Sequence, residues 1–240
     1  MQETKSIIEK VDMFIAPSKY LRNRFINDFE VPISKIIYLD YGFPTHYLQP
    51  IEHKTSDTYT FGYIGTQISS KGINLLIKAF SKINKKSVLK IWGRTNGQST
   101  TALKNLAKES KNKIQFCGEY INQNLATEVF SKIDSIVVPS VWGENSPLVI
   151  HEAQACEIPV ITADFGGMKE YVEHEKNGLL FKHRNEKDLI QKMLFAIENP
   201  EILQGYGKVG YLSSKTGKVP NIKGHCIELI ELYKRIIEAK

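Results

Sequence analysis

Residues 137–160 read Val137-Val-Pro-Ser-Val-Trp-Gly-Glu144-Asn-Ser-Pro-Leu-Val-Ile-His-Glu152-Ala-Gln-Ala-Cys-Glu-Ile-Pro-Val160. An apolar strand here runs into a polar loop, a helix follows, and a second apolar strand begins. Ser146 is a typical N-cap and Pro147 a typical first helical residue, so together they predict the helix start. The helix is expected to bury Leu148, Val149, Ala153 and Cys156. This order of elements is the repeating unit of an α/β fold.

The same alternation of short apolar runs with amphipathic stretches continues on both sides. The predicted strands are Thr60–Ile64, Val88–Trp92, Ile114–Cys117, Ser135–Val138, Val160–Thr162 and Leu179–Phe181. The predicted helices are Asn74–Phe80, Leu103–Ser110, Leu125–Ile133, Leu148–Cys156 and Leu189–Glu198. Strands that alternate with helices of this length indicate βαβ units with right-handed crossovers. The sequence therefore predicts an α/β fold with a doubly wound, Rossmann-like parallel sheet over residues 55–200.

A smaller unit of the same kind precedes this domain. Its predicted elements are a strand at Val11–Ala16, a helix at Tyr20–Phe29 and a strand at Lys35–Leu39. One βαβ unit cannot cover both faces of its own sheet. Residues 1–50 are therefore predicted to be the last part of another domain.

Three further segments complete the chain. Residues 48–58 are predicted to be a linker. The stretch Gly205–Gly224, which holds five glycines, is predicted to be a loose connection. Ile222–Ile237 is predicted to be a helix, because its apolar residues recur on one face.

Composition excludes several classes of protein. The chain of 240 residues is 42% hydrophobic and 24% charged, proportions that exclude disordered, collagen-like and coiled-coil chains. No apolar run approaches the roughly 18 residues that a membrane-spanning helix needs. The cysteines Cys117, Cys156 and Cys226 form no C-x-x-C pair, which disfavours a zinc ribbon or a disulfide scaffold. A reduced, cytoplasmic protein is therefore expected.

Positive charge is concentrated in residues 71–113, which we call the basic segment. It carries 11 Lys and Arg residues against a single acid, Glu109. A solvated face explains such a segment, since lysines are mostly exposed. The alternative is a positive field for a phosphorylated ligand or an anionic membrane. Nucleic acid is not expected as a partner, because the lysines lack aromatic interleaving and any nucleic-acid motif.

The loop after the first strand of the main domain is a candidate phosphate site. Ligands of open parallel sheets bind where the strands end at their carboxyl side. Gly65 allows close backbone approach, and Lys71 stands just before a helix, where the helix dipole would also attract an anion. A plain strand–helix turn with a surface lysine is the alternative. A hydride-transfer enzyme is disfavoured, because G-x-G-x-x-G is absent and the next strand ends in Trp92-Gly93-Arg94 instead of an acid.

Two carboxylates flank the helix start within residues 137–160. Glu144 lies in the loop and Glu152 on the helix. Carboxylates accept hydrogen bonds from hydroxyls, and helix N–H groups hold phosphate, so the combination suits a sugar phosphate. A capped core helix with ordinary surface acids is the alternative at this point.

Taken together, these motifs resemble the donor-binding signature of glycosyltransferase family 4, whose members are retaining enzymes with the two-domain GT-B fold. The resemblance rests on Pro139-Ser140, on Glu144 and Glu152 with seven residues between them, and on Pro159-Val160-Ile161. It extends to the glycine loop Gly65–Gly72, to Gly118, to Gly166-Gly167 with Glu170, and to Asn177–Leu180. It covers about residues 10–200. The chain is thus interpreted as a C-terminal donor-binding domain with the end of an N-terminal domain.

The resemblance implies roles for individual residues. Glu144 would contact hydroxyls of the donor sugar, Glu152 the ribose of the nucleotide, and Lys71 the departing diphosphate. Lys71 and Glu144 are therefore the catalytic candidates. The implied donor-binding set is Gly65, Thr66, Lys71, Arg94, Tyr120, Glu144, Asn145, Ser146, Leu148, Val149 and Glu152. Such enzymes need no metal and no cofactor, since the nucleotide sugar is the substrate.

Two departures from the family pattern matter. Many relatives carry an arginine after the loop glycine, where this chain has Thr66. Either the hydroxyl suffices there or Arg94 supplies the cation. The acceptor domain is represented by residues 1–50 alone, so the chain is expected to be a fragment that is inactive on its own. Residues 201–240 would form C-terminal helices that pack back towards the N-terminal domain.

The resemblance also implies an activity for the full-length enzyme. It would transfer a sugar, as a hexosyl-type glycosyltransferase, from a nucleotide diphosphate to a glycan or lipid-linked glycan in polysaccharide biosynthesis. The anomeric configuration would be retained, and the enzyme would contact an anionic membrane peripherally. Two alternatives stay open: an epimerase-like GT-B protein that acts on nucleotide sugars, and a non-catalytic basic module that binds a polyanion or a membrane.

Overall fold

The computed structural model describes residues 2–51, 57–95 and 97–239. The predicted linker at residues 48–58 falls partly on residues 52–56, which lie outside the described ones. Contacts divide the chain into two compact units. The smaller unit comprises Met1–Pro44 with Pro220–Lys240, and the larger comprises Thr45–Val219.

The elements follow one another in a βα order for most of the chain. The strands are β1 Phe14–Ala16, β2 Ile36–Tyr38, β3 Tyr59–Ile64, β4 Ser87–Trp92, β5 Lys113–Gly118, β6 Ser135–Val138, β7 Val160–Ala163 and β8 Gly178–Phe181. The helices are α1 Gln2–Lys10, α2 Lys19–Phe29, α3 Ile73–Ser81, α4 Gly97–Ala107, α5 Leu125–Glu128, α6 Leu148–Ala155, α7 Met168–Tyr171, α8 Glu186–Glu198, α9 Pro200–Val209 and α10 Ile222–Glu238. Short 3-10 turns lie at Ile33–Lys35, Ser69–Lys71, Asn122–Asn124 and Phe130–Lys132.

The larger unit is built on a six-stranded sheet in the order β5-β4-β3-β6-β7-β8. Every pairing is parallel, for example Phe61 of β3 with Ser135 of β6. The chain winds outward from β3 in one direction and then from β6 in the other. The predicted doubly wound, Rossmann-like fold is confirmed. Its topological switch point lies between β3 and β6, where this architecture binds its ligands.

Burial along the strands explains why these segments pair. The central strands β6 and β7 are buried at every position, as expected for parallel strands covered on both faces. Strand β4, in contrast, alternates, with Leu89 and Ile91 in the core and Lys90 partly exposed. Helix α3 packs Leu76, Ile77 and Phe80 into the same core. These buried side chains hold the strand ends, and hence the loops of the candidate site, in fixed positions.

The smaller unit contains a two-stranded parallel sheet, in which Phe14 of β1 lies opposite Ile36 of β2. The Ser18 hydroxyl caps α2 by accepting from the Leu21 N–H at 3.0 Å. The start of α10 joins this unit through Phe43, whose N–H donates to the Pro220 carbonyl at 2.8 Å. The apolar face predicted for this helix is exposed over much of its length, at Ile227, Ile230, Tyr233 and Ile237.

Three expectations about helices are corrected. The helix expected at Leu125–Ile133 is broken: α5 ends at Glu128 and a 3-10 turn follows, because the buried Val129 leaves the regular helical conformation. The helix expected at Leu103–Ser110 begins earlier, at Gly97, and ends at Ala107. The loose connection expected from Gly205 begins only after Val209, since α9 starts at Pro200 and runs through two glycines. Gly207 is needed there, because a Cβ would lie 2.2 Å from the Glu157 carbonyl oxygen.

Candidate active site

The loops that follow β3 and β6 meet at the switch point of the sheet. The Ser70 carbonyl accepts hydrogen bonds from the backbone N–H groups of Val141 at 3.0 Å and Trp142 at 3.2 Å. Gly72 has a φ of +71°, and a Cβ there would lie 1.8 Å from the Pro139 carbonyl oxygen. A glycine at position 72 is therefore what lets the loop that carries Lys71 pack directly against the loop that carries Glu144.

This close approach gives a stability prediction. Gly72→Ala should lower the free energy of unfolding by about 1–3 kcal/mol. The added Cβ would clash with the Pro139 carbonyl, and alanine is strained in the left-handed conformation of this residue. The matched control is Gly205→Ala, since a Cβ at that exposed helical position meets nothing within 4 Å. The control should be neutral or stabilise by up to about 1 kcal/mol. Urea unfolding of both variants makes the comparison, and equal effects would contradict the packing described.

Lys71 and Glu144 lie in direct contact across the switch point. The Lys71 Nζ is 2.7 Å from Glu144 Oε1, although 73 residues separate the two in the sequence. The Ser140 hydroxyl donates to the same carboxylate oxygen at 2.8 Å. Glu144 is shielded, with 15% of its side chain exposed against 39% for Lys71. The two catalytic candidates named from the sequence thus form one charged cluster.

The backbone of the Glu144 loop is held from a second side. The Gly167 N–H donates to the Glu144 carbonyl at 2.7 Å, and a Cβ on Gly167 would lie 1.7 Å from the Asn145 carbonyl oxygen. The Arg184 guanidinium donates to the Val141 carbonyl at 3.3 Å. The loop therefore presents its side chains from a fixed main chain, which favours a preorganised site.

A cavity of about 270 Å³ opens at the ends of β3, β4 and β5. It is lined by Ile64, Gly65, Thr66, Gly93, Arg94, Glu119, Tyr120 and Asn122. Four of these are residues of the predicted donor-binding set, and the structure brings them together. The Arg94 side chain lies mostly in solvent, 3.9 Å from Glu119. A second cavity of about 530 Å³ adjoins along the sheet face and shares Glu119 and Tyr120 with the first.

The start of α6 differs from the expectation in two respects. Pro147 is the N-cap and Leu148 the first helical residue, so Ser146 does not cap the helix. Leu148, the first residue of the helix, is 51% exposed instead of buried. Val149 is partly buried, Asn145 is exposed, and Ser146 is buried.

Glu152 sits further along α6 in a poorly solvated position. Burial raises the pKa of its carboxyl to about 7, because desolvation disfavours the charged form. Burial, and then the negative charge of Glu152, raise the pKa of Tyr120 to about 12. The same two causes raise the pKa of Tyr47. The Glu152 carboxylate thus disfavours ionisation of the cavity residue Tyr120.

His151 precedes Glu152 in the sequence and lies in the core. It does not line either of the two cavities described above. Its ring is fully buried, with its centroid 4.2 Å from that of Tyr171. Its Nδ1 lies 3.3 Å from the Pro147 carbonyl oxygen. His151 therefore serves the packing of the core.

Several site residues were not assigned from the sequence. Ser140 belongs to the quoted Pro139-Ser140 motif, so a signal was present, but its contact with Glu144 depends on the loop conformation. Glu119 and Asn122 lie next to Tyr120 in the loop after β5. They could have been assigned to the site once that loop was predicted to line it. Tyr47 has no local signal, because only the fold brings it near Glu152.

Two searches of the described part of the chain bear on function. No group of three or more His, Cys, Asp and Glu side chains is arranged there to hold a metal ion. No helix in the same part is both long enough and apolar enough to cross a membrane.

Comparison with known proteins identifies the family. A sequence model described as glycosyl transferases group 1 matches residues 48–212. The chain belongs to this family of glycosyltransferases. It is 29% identical over 206 residues to an uncharacterized glycosyltransferase of Methanocaldococcus jannaschii, a match that covers 85% of this chain and 55% of the relative. The chain spans about half the length of the curated relatives it matches.

Solved structures of glycosyltransferases share the fold. A glycosyltransferase from Rickettsia africae superposes with a TM-score of 0.81 at 19% identity, over 100% of this chain and 67% of that one. HepE of Anabaena, solved in complex with UDP and glucose, gives a TM-score of 0.80 at 18% identity, over 97% of this chain and 67% of that one. The predicted membership of a GT-B glycosyltransferase family is confirmed.

Proposed function

We propose that this glycosyltransferase chain binds a nucleoside diphosphate sugar at the switch point between β3 and β6. The observation that carries the proposal is the cluster of Lys71, Glu144 and Ser140 beside a cavity lined by Thr66, Arg94 and Tyr120. A cation suits the diphosphate, and carboxylates suit sugar and ribose hydroxyls. The UDP complexes of a structural neighbour support the same ligand class.

The residues divide the ligand among them. We assign the diphosphate to Lys71 and to the backbone at the start of α6, the sugar hydroxyls to Glu144, and the ribose to Glu152 beside Tyr120. Neutralising the charge that develops on the departing diphosphate is the catalytic contribution of Lys71. In the full-length enzyme a hexosyl-type sugar is then transferred, with retention, to a glycan or lipid-linked glycan. Retention and this acceptor class rest on the family resemblance.

A thermal-shift panel tests the proposal and identifies the base. A ligand that binds the folded state alone raises its stability, so the matching nucleotide sugar should raise the melting temperature of this chain. The panel comprises the UDP, GDP, ADP and dTDP forms of glucose, with the corresponding monophosphates as controls. No stabilisation by any of them would contradict a nucleotide-sugar site.

Binding is expected to need no metal. Lys71 supplies the positive charge that a divalent ion would otherwise bring to the diphosphate. Calorimetry in EDTA should therefore give the same affinity for the nucleotide as calorimetry in magnesium. Strict dependence on magnesium or manganese would show that the cation at this site is not Lys71.

Glu152 makes binding depend on pH. Its folded-state pKa of about 7 lies above the ordinary carboxyl value. Its contribution to folding is therefore complete at low pH and is lost as the pH rises through 7. The affinity for the nucleotide should change with pH in the opposite direction, because only the ionised carboxylate accepts charge-assisted hydrogen bonds from both ribose hydroxyls. Affinity for UDP-glucose, whose diphosphate does not titrate here, should rise about tenfold from pH 6 to pH 8. The Glu152→Gln variant should give a flat profile, and a flat profile in the unmodified chain would contradict the role.

The basic segment supports a proposed partner as well. Several of its lysines are exposed on α4 and just beyond it, at Lys104, Lys108, Lys111 and Lys113. Others pair with α8, as Lys82 does with Glu186 and Lys85 with Glu198. We propose that the exposed group faces an anionic membrane at the cytoplasmic side, where a lipid-linked acceptor would be found.

A further inference from the structure

Lys71 and Glu144 are held together by their opposite charges. Lys71 donates a hydrogen bond to Glu144 at 2.7 Å. The cation proposed to bind the diphosphate is therefore paired with the carboxylate proposed to bind the sugar. The carboxylate is the more buried of the two groups, since 15% of the Glu144 side chain is exposed against 39% of the Lys71 side chain. An anion bound to Lys71 also lies close to the Glu144 carboxylate. Because like charges repel, the anion weakens the Lys71–Glu144 pair.

We infer that a nucleoside diphosphate breaks the Lys71–Glu144 pair as it binds Lys71, and that Ser140 is the residue that keeps Glu144 in position afterwards. This inference rests on the proposed function and adds a competition that the donor has to overcome. It predicts that Glu144 opposes the binding of the diphosphate while it supports the binding of the sugar.

Ser140 is built to hold the carboxylate. The residue is 2% exposed, and its hydroxyl lies 2.8 Å from Glu144 Oε1 and 3.1 Å from the Ser70 carbonyl oxygen. Its oxygen also accepts from the Trp142 N–H at 3.3 Å. A serine hydroxyl has one proton for these two acceptors, and the charged one is nearer. Ser140 thus anchors Glu144 within its own loop without depending on the lysine, and it acts as a positioning residue.

The role of Glu144 and the role of Ser140 can be distinguished by measuring the binding of two ligands. The first quantity is the Kd of the free nucleoside diphosphate. The second is the sugar increment, which is the ratio of that Kd to the Kd of the matching nucleotide sugar. Glu144→Gln should lower the first Kd about two- to fivefold, the range typical of a part-exposed ion pair, and should abolish the increment. Ser140→Ala should leave the first Kd within about twofold and reduce the increment.

Calorimetry with UDP, GDP and their glucose conjugates tests the inference on this chain. Asp164→Asn is the charge-matched control, because it removes one negative charge that pairs with Lys169 instead of Lys71. The expected result is tighter diphosphate binding for Glu144→Gln alone, and no such gain when the same change is made in a Lys71→Gln background. Ser140→Thr, which keeps the hydroxyl, should restore the increment, and melting curves check that every variant is folded.

Each other outcome counts against a stated claim. An unchanged diphosphate Kd in Glu144→Gln, or an equal gain in Asp164→Asn or in the Lys71→Gln background, would overturn the competition between Glu144 and the diphosphate for Lys71. An unchanged sugar increment in Ser140→Ala would overturn the role of Ser140. Failure of the unmodified chain to bind any of the four ligands would instead contradict the proposed function.

Discussion

Replacing Glu152 with alanine should weaken the binding of a free nucleoside diphosphate about ten- to a hundredfold. The reason is the loss of charge-assisted hydrogen bonds to the ribose, each worth roughly 1.5–3 kcal/mol. Replacing Glu144 should instead weaken the binding of the sugar portion, because that side chain is assigned to the sugar hydroxyls, and it should not weaken the binding of the free nucleoside diphosphate. The two glutamates have only seven residues between them, but Glu144 pairs with Lys71, whereas the charge of Glu152 acts on the pKa of Tyr120.

Titration of both variants with the free nucleoside diphosphate and with its glucose conjugate makes the comparison. Glu173→Ala serves as the control, since it removes an exposed acid paired with Lys176 and should change neither affinity. If both site variants lose the two ligands equally, the division of roles between Glu144 and Glu152 is wrong, even though the site itself would stand.

The largest expected effect concerns transfer of the sugar. This chain should bind the donor yet transfer little or no sugar to an acceptor. Holding two reactants together contributes about 7–11 kcal/mol to catalysis, which corresponds to a rate factor of at least about 10⁵. The smaller unit offers a two-stranded sheet, which is too little to build an acceptor cleft. Slow hydrolysis of the donor should persist, since water needs no binding domain.

The assay is transfer of radiolabelled sugar into a lysate and membrane acceptor pool. This chain is compared with one extended at its N-terminus to the length of its relatives, of which it spans about half. The extended chain should transfer efficiently. Robust transfer by the present chain would mean that the acceptor site lies within the larger unit, and the interpretation as a donor-binding fragment would fail.

Much of the sheet could be predicted because its strands are short, apolar and bounded by turns. Strand β6 has the predicted bounds, Ser135–Val138, and β3 and β4 begin one residue before theirs. The bounds of helices are harder to predict from sequence where tertiary packing overrides the local pattern. The apolar residues of 125–133 suit one continuous helix, yet the chain buries them through a short helix and a tighter turn. Side chains compete for the same core, and a one-dimensional pattern does not record that competition.

The candidate site was predictable in its parts but not in its assembly. The spacing of Glu144 and Glu152 and the position of Lys71 singled out two loops that the structure brings together. The 2.7 Å contact between Lys71 and Glu144 joins residues 73 positions apart, so the sheet order decides it. The exposure of Leu148 likewise depends on the residue at which α6 begins after β6.

The most direct test of the central claim is hydrogen–deuterium exchange of this chain with and without its stabilising nucleotide sugar. Bound ligand should slow exchange in residues 65–72 and 139–152, the two segments that meet at the switch point, with weaker protection near residues 93–94 and 119–122. A site at that point requires this pattern. Protection confined to residues 97–113 of the basic segment, or spread evenly over the sheet, would contradict the account and favour a polyanion-binding module.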